Sequence, residues 1–215
     1  MRLNQDLMRP TARAAHLGVV AGGPLLGLLL LGLFSLVRHP IALLMILIGL
    51  VMVAPAGYLL DDPAADLLAP SPSTLAKRRL ARLSLGVPVM AGGWLIALSR
   101  GSYLEGYADL PRWALTVEIA AFAAFALAVA AIAARRGDKT PGLTGASGLF
   151  VMVALLFVAR QAVPSSWPIP ELQPNLHAHR WWWVLGGSIA LLAWASRDPL
   201  ARHRQSSFPT HDRFA

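Results

Sequence analysis

Long apolar runs with few charges recur along the chain, separated by short connections rich in arginine, proline and aspartate. A helix needs about 20 residues to cross roughly 30 Å of hydrocarbon, and six runs approach that length. We place the predicted spans at about residues 17–37, 41–60, 83–99, 113–134, 144–163 and 181–196. The pattern therefore predicts an all-α membrane protein, a bundle of six transmembrane helices.

Composition agrees with a bilayer environment. Hydrophobic residues make up 56% of the chain, charged residues only 14%, and the mean hydropathy is +0.55. A soluble domain of this length is rarely so apolar. The chain has no cysteine, which excludes disulfides, thiolate catalysis and cysteine-ligated metals.

Arginine and lysine alternate between connections in the way expected of cytoplasmic and outward segments. The basic segments precede the first span, separate the second from the third and the fourth from the fifth, and follow the sixth. The prediction is that both termini are cytoplasmic, with an amphipathic lead-in at 1–16 and a basic tail at 197–215. Arginine, alanine and leucine usage is typical of a GC-rich bacterial genome, so the predicted location is a bacterial cytoplasmic membrane.

The longest cytoplasmic connection, 61–82, combines an acidic turn with a basic helix that should begin near Ser73. Its charged residues are Asp61, Asp62, Asp66, Lys77, Arg78, Arg79 and Arg82. Such a mixed helix can dock a soluble partner. The alternative is that the basic cluster only sets the topology, although this leaves the acidic residues unexplained.

Two charged residues fall inside predicted spans, Glu118 in the fourth and Arg160 in the fifth. An unpaired charge costs about 2.5 to 3.5 kcal/mol at the bilayer centre, so we expect the two side chains to approach each other. The alternative is that both reach the nearby interface. Small residues at four-residue spacing predict close helix packing. They are Gly18, Gly22, Gly23, Gly27, Ala120, Ala124 and Ala128.

Catalytic chemistry finds little support in the sequence. His177 and His179 could bind a metal, but no further ligand stands at suitable spacing, so no metal site is predicted. Gly137-Asp138-Lys139-Thr140 holds only the tail of a phosphate-binding loop, so this chain should not hydrolyse ATP by that route. The basic residues lie at the membrane's inner side rather than on a soluble face, which argues against nucleic-acid binding.

The architecture resembles the membrane subunits of type-two ATP-binding-cassette (ABC) exporters. The likeness rests on six spans, an amphipathic lead-in, a cytoplasmic helix between spans two and three, and an outer loop over 164–180. Leu60-Asp61-Asp62-Pro63, Lys77-Arg78-Arg79 and the ending Trp194-Ala195-Ser196-Arg197-Asp198-Pro199 look like small actinobacterial membrane proteins of this type. The chain departs from the family in being shorter and in almost lacking its first outer connection.

The resemblance implies a non-enzymatic permease subunit that acts in export and pairs with a second membrane subunit. It also implies a separate ATPase that carries the ATP and magnesium and docks on 61–82, with Glu118 and Arg160 at the outer gate. Two alternatives stay open: an accessory or structural subunit of a larger membrane complex, and a six-span substrate-binding component of an uptake system. A membrane-embedded enzyme fits least, because polar residues inside the spans are sparse.

Overall fold

The computed structural model describes residues 17–34, 41–61, 75–101, 111–162 and 178–196. These stretches are helical apart from turns and helix ends, and contain no β-strand. The elements are α1 Leu17–Phe34, α2 Ile41–Val53, a 3-10 helix Ala54–Leu60, α3 Leu75–Gly101, α4 Arg112–Arg135, α5 Pro141–Ala162 and α6 Ala178–Ala195. The all-α prediction is confirmed for this part of the chain. The predicted lead-in and basic tail lie outside it.

Three of the described helices are long and apolar enough to cross a bilayer. They are the segments Arg79–Gly101, Arg112–Arg135 and Pro141–Val158, whereas Gly18–Phe34, Leu44–Leu60 and Trp181–Ala195 are apolar but shorter. Many large apolar side chains point outward, among them Leu25 at 67% and Trp183 at 79% exposure. So much exposed apolar surface is suited to lipid rather than water. The chain thus has the features of a membrane protein, while six spans and cytoplasmic termini stay predictions.

The second predicted span, 41–60, changes helix type before it ends. The α-helix stops at Val53 and continues as the 3-10 helix, with Pro55 in its first turn. Proline has no backbone N–H to donate and its ring crowds the preceding turn, which explains why the α-helix stops there. Asp61 follows directly after this 3-10 segment, at its C-terminal cap.

The third helix is longer than predicted. We expected a cytoplasmic helix from about Ser73 and a distinct span at 83–99, but Leu75–Gly101 is one continuous α-helix with Pro88 inside it. The stretch 75–85 contains only leucine, alanine, serine, lysine and arginine, so nothing in it interrupts a helix. The basic segment and the membrane-length segment are therefore parts of a single rod.

Helix α4 lies at the centre of one half of the bundle. It packs against α2, the 3-10 helix, α5 and α6, and more than half of its residues are buried. Phe122 meets Trp181 near the start of α6, and Arg135 meets Trp194 near its end. Both pairs are separated by 59 residues in sequence, so α4 and α6 run parallel and in a constant register.

The 3-10 helix joins the half of the bundle that contains α1 and α3 to the half that contains α4 and α5, because it contacts all four of these helices. Helix α1 packs on α2 and α3. Glycines permit these close approaches: a Cβ on Gly23 would lie 2.6 Å from Pro55 Cγ, and one on Gly27 would lie 2.5 Å from Met52 Cγ. The core consequently runs through the second span and its 3-10 extension.

The turn between α4 and α5 is closed by its own backbone. Gly137 has φ +84°, and the N–H groups of Gly137 and Asp138 donate to the carbonyls of Ala134 and Ala133. This is a Schellman motif, in which a left-handed residue, usually glycine, ends the helix. It turns the chain back so that α5 runs antiparallel to α4.

Candidate functional site

Asp61 connects the end of the 3-10 helix to the start of α5. Its Oδ1 accepts a hydrogen bond of 2.6 Å from the N–H of Gly142. Thr140 accepts the first backbone bond of α5, from Thr144, so Gly142 carries one of the N–H groups that the helix itself leaves unpaired. A negative carboxylate is favoured at this positive end of a helix. Asp61 thus acts as an N-cap supplied from 81 residues away.

Arg82 connects α3 to the same point. Its guanidinium donates a hydrogen bond from Nη1 to the backbone carbonyl of Asp61. The side chain is only 2% exposed and is among the largest fully buried side chains that the structure describes. One residue, Asp61, therefore links the 3-10 helix, α3 and α5. We call Asp61, Arg82 and Gly142 the junction, and the end of the bundle that holds it the Asp61 end.

Three glycines allow the backbones to meet beside the junction. A Cβ on Gly142 would lie 2.7 Å from both Asp61 Oδ2 and Tyr58 Cα. A Cβ on Gly57 would lie 2.9 Å from the carbonyl oxygen of Gly142, and one on Gly145 would lie 2.6 Å from the carbonyl oxygen of Ala126. These distances are shorter than normal carbon contacts, so the 3-10 helix, α4 and α5 can reach this packing only with glycine there.

The predicted docking residues divide into three groups in the structure. Asp61 belongs to the junction, and Arg79 and Arg82 are buried, at 7% and 2% exposure. Lys77 and Arg78 lie in the first turn of α3, but their side chains are outside the described set, as are Asp62 and Asp66 altogether. Because Arg79 and Arg82 face into the protein, their part in the structure is to fix α3. Docking by the segment stays a prediction.

Glu118 lies at the other end of the bundle, in the second turn of α4, and is 2% exposed. Its Oε1 is buried and has no hydrogen-bond partner among the described residues. The side chain of Arg160, on α5, is outside the described set, so the predicted pair stays a prediction. We call this end of the bundle, where α4 begins at Arg112, the Arg112 end.

The predicted packing residues are only partly at helix contacts. Gly23 and Gly27 pack against the second span, whereas a Cβ on Gly18 or Gly22 would meet nothing within 4 Å. On α4, Ala124 and Ala128 are buried and Ala120 is exposed. Four-residue spacing predicted close packing on both helices, but it could not tell which of two similar faces is covered.

Two further contacts were not expected from the sequence. Arg135, which the sequence assigns to the positive cytoplasmic segments, donates to the carbonyl of Trp194 at 3.1 Å, and its guanidinium carbon lies 4.3 Å from the centroid of that ring. Trp94 Nε1 donates to Thr116 Oγ1 at 3.2 Å, which ties α3 to α4. The only sequence signal for the contact between Arg135 and Trp194 is that each residue lies near the end of a predicted span.

The described residues contain no group of three histidine, aspartate or glutamate side chains placed to hold a metal ion. His177 is outside them, and the side chain of His179 is not described. Comparison with protein-family models, with curated proteins and with solved structures found no match to this chain. Its function therefore has to be argued from the geometry of its two ends.

Proposed function

We propose that the chain is a membrane-embedded permease subunit of an ABC transporter, acting in export, that works with a separate ATPase docked on the 61–82 segment. The observation that carries the proposal is the junction. It joins the two ends of that segment, because Arg82 donates to Asp61, and it anchors them on α5 through Gly142. A force applied to the segment would thus act directly on the helices.

Charge and membrane character support the same proposal. The chain carries a formal net charge of +8, and the 61–82 segment contains both acidic and basic residues beside a helix of membrane length. A continuous helix such as α3 can transmit displacement of its basic end to its membrane-length part. ATP and magnesium would belong to the partner, and a second membrane subunit would complete the path for the substrate.

One observation favours a second function, that of an accessory subunit in a larger membrane complex. Arg79 and Arg82 are buried within the chain, so two of the basic residues expected to meet a partner face into its own fold instead. A subunit that serves as an anchor needs a fixed bundle and no moving segment. The two functions differ in whether an ATPase is bound through 61–82.

The test is purification of the tagged full chain from its native membrane in mild detergent, followed by mass spectrometry. Lys77→Gln/Arg78→Gln neutralises the basic turn without touching the junction, and Arg136→Gln/Lys139→Gln is the matched control, at an exposed turn of the same end of the bundle. We expect an ABC ATPase in stoichiometric amount with the unmodified protein and the control, and at least a tenfold loss with the first variant, about 1.4 kcal/mol in binding. Equal ATPase recovery with both variants would contradict docking at this turn, and absence of any ATPase would favour the accessory subunit.

A further inference from the structure

Glu118 stands out because a carboxyl group this deeply buried normally has a partner. Residues three and four positions away along a helix are its neighbours on the same face. For Glu118 they are Ala114, Leu115, Ala121 and Phe122, each at most 2% exposed. The carboxyl therefore lies on an apolar, buried stripe of α4, and its Oε1 has no hydrogen-bond partner among the described residues.

The stripe is closed against α6 one turn further along. The rings of Phe122 and Trp181 meet edge to face, with centroids 5.2 Å apart and planes at 80°. Trp181 is 5% exposed. Glu118 is six residues from Arg112, which corresponds to about 9 Å along the helix axis. It is thus close to the Arg112 end, and the contact between Phe122 and Trp181 lies one turn further into the bundle.

The ionisable groups that could face Glu118 are few. Toward the Arg112 end, the described parts of α4 and of the elements that contact it carry Arg160 on α5, His179 and Arg180 at the start of α6, Arg100 at the end of α3, and Arg112 on α4 itself. Toward the opposite end they carry Lys77, Arg78, Arg79 and Arg82 on α3, Tyr58, Asp61, and Arg135 on α4. The remaining positions of α2, the 3-10 helix, α5 and α6 carry no ionisable side chain. A cation near the Arg112 end would favour a charged carboxylate if the two groups paired. A neutral Glu118 therefore indicates a carboxyl that is not paired with a cation, and a charged Glu118 indicates an ion pair.

We propose that Glu118 is a proton-binding site: its carboxyl is neutral in the closed bundle and releases its proton when water reaches it from the Arg112 end. A charged group buried without a partner in an apolar environment is strongly unfavourable, whereas the neutral acid is tolerated. Glu118 is only 2% exposed, so its packing keeps water from the carboxyl in the closed state. This inference does not depend on the proposed ATPase partner.

A lipophilic carbodiimide, dicyclohexylcarbodiimide, tests the protonation state directly. The neutral acid gives its proton to a carbodiimide nitrogen while the carboxylate oxygen bonds to the central carbon, and the acyl group then migrates from oxygen to nitrogen to leave a stable N-acylurea. Nothing is oxidised and no group leaves. We would treat the full chain in membrane vesicles across a pH series and locate the adduct by peptide mass spectrometry.

The expected result is an adduct on Glu118 at neutral pH, with Asp138 unlabelled as the exposed internal control. Labelling should fall about tenfold per pH unit once the carboxyl ionises. Trp181→Ala removes a buried ring that packs on Phe122, one turn from Glu118. It should hydrate the carboxyl and lower Glu118 labelling at neutral pH by about tenfold or more, because a carboxyl that is about nine-tenths ionised keeps only about a tenth of the reactive neutral acid. Trp183→Ala, at a ring that is 79% exposed, is the matched control and should label as the unmodified protein does.

Infrared spectroscopy gives a second readout that does not need the reagent. The neutral acid predicts a protonated carboxyl band at neutral pH that is absent from Glu118→Gln, and the glutamine variant should melt at a similar temperature because it has nearly the same shape and no charge. If that variant fails to fold, the band in Glu118→Asp decides instead. An unlabelled Glu118 with no such band, or labelling only at acid pH as for an exposed carboxyl, would overturn the proposal and favour an ionised pair.

Discussion

The close backbone contact at Gly145 can be tested by adding one methyl group. Gly145→Ala would place a Cβ 2.6 Å from the carbonyl oxygen of Ala126 and 2.9 Å from Ala130 Cβ. Both belong to the central helix α4 and neither can rotate away, so the backbones of α4 and α5 must separate. Gly22→Ala makes the same change on a helix where nothing lies within 4 Å of the added atom.

The comparison of these two variants isolates the steric effect. Each substitution gains the helix propensity of alanine over glycine, up to about 1 kcal/mol, so this contribution largely cancels. Overpacking in a fixed site costs about 1 to 3 kcal/mol. Gly145→Ala should accordingly be less stable than Gly22→Ala by about 1 to 3 kcal/mol, a factor of roughly 5 to 150 in the folding equilibrium.

A third variant gives the series an intermediate step. A Cβ on Gly148 would lie 3.0 Å from Val129 Cγ1, the end of a side chain that can adjust more easily than a carbonyl. The expected order of stability is Gly22→Ala, then Gly148→Ala, then Gly145→Ala. Unfolding in mixed micelles of mild detergent and dodecyl sulfate, followed by tryptophan fluorescence and circular dichroism, measures all three. If Gly145→Ala were as stable as Gly22→Ala, the close contact between α4 and α5 would be wrong.

Two other polar contacts give predictions of the same kind. Hydrogen bonds from the Thr144 hydroxyl and the Thr140 N–H lower the pKa of Asp138 below its ordinary value of 3.8, so its contribution to stability is present above that value and is lost as pH falls through the lowered pKa. The stability difference between the unmodified protein and Asp138→Asn should thus shrink between about pH 6 and about pH 3 in thermal unfolding, and a constant difference would contradict these bonds. Trp94→Phe should cost about 0.5 to 1.5 kcal/mol by removing the bond to Thr116, and Trp183→Phe, at an exposed ring, should cost less in the same assay.

Apolar patterning was sufficient to predict an all-α chain. Each helix forms its backbone hydrogen bonds within one segment, and the apolar composition of that segment can be recognised in a short stretch of sequence. Where two signals were adjacent the prediction separated them: charges at 77–82 suggested an independent helix, yet no residue there interrupts α3. Charge lowers the hydrophobicity of a segment but does not end a helix, which needs proline, glycine or a cap. The 3-10 extension likewise could not be predicted from Pro55 alone, because Pro24 and Pro88 lie inside α-helices that continue past them.

The junction could not be predicted because it is made of contacts between residues that are far apart in sequence. Asp61 was noted as part of an acidic turn, whereas Gly142 lies just before the predicted span at 144–163, with 81 residues between the two. No periodicity relates an N-cap to a helix that begins so much later. Local capping rules would have assigned the start of α5 to Thr140, whose backbone does accept its first hydrogen bond.

The two ends of the bundle meet the demands of a membrane in different ways. At the Asp61 end, charged groups bind backbone groups of other elements, so separating α3, the 3-10 helix and α5 would break two hydrogen bonds. At the Arg112 end, the rings of Phe122 and Trp181 meet one turn from Glu118, whose Oε1 has no hydrogen-bond partner among the described residues. Under the proposed transport function, the Asp61 end should therefore move as one body with the 61–82 segment, and opening should occur at the Arg112 end.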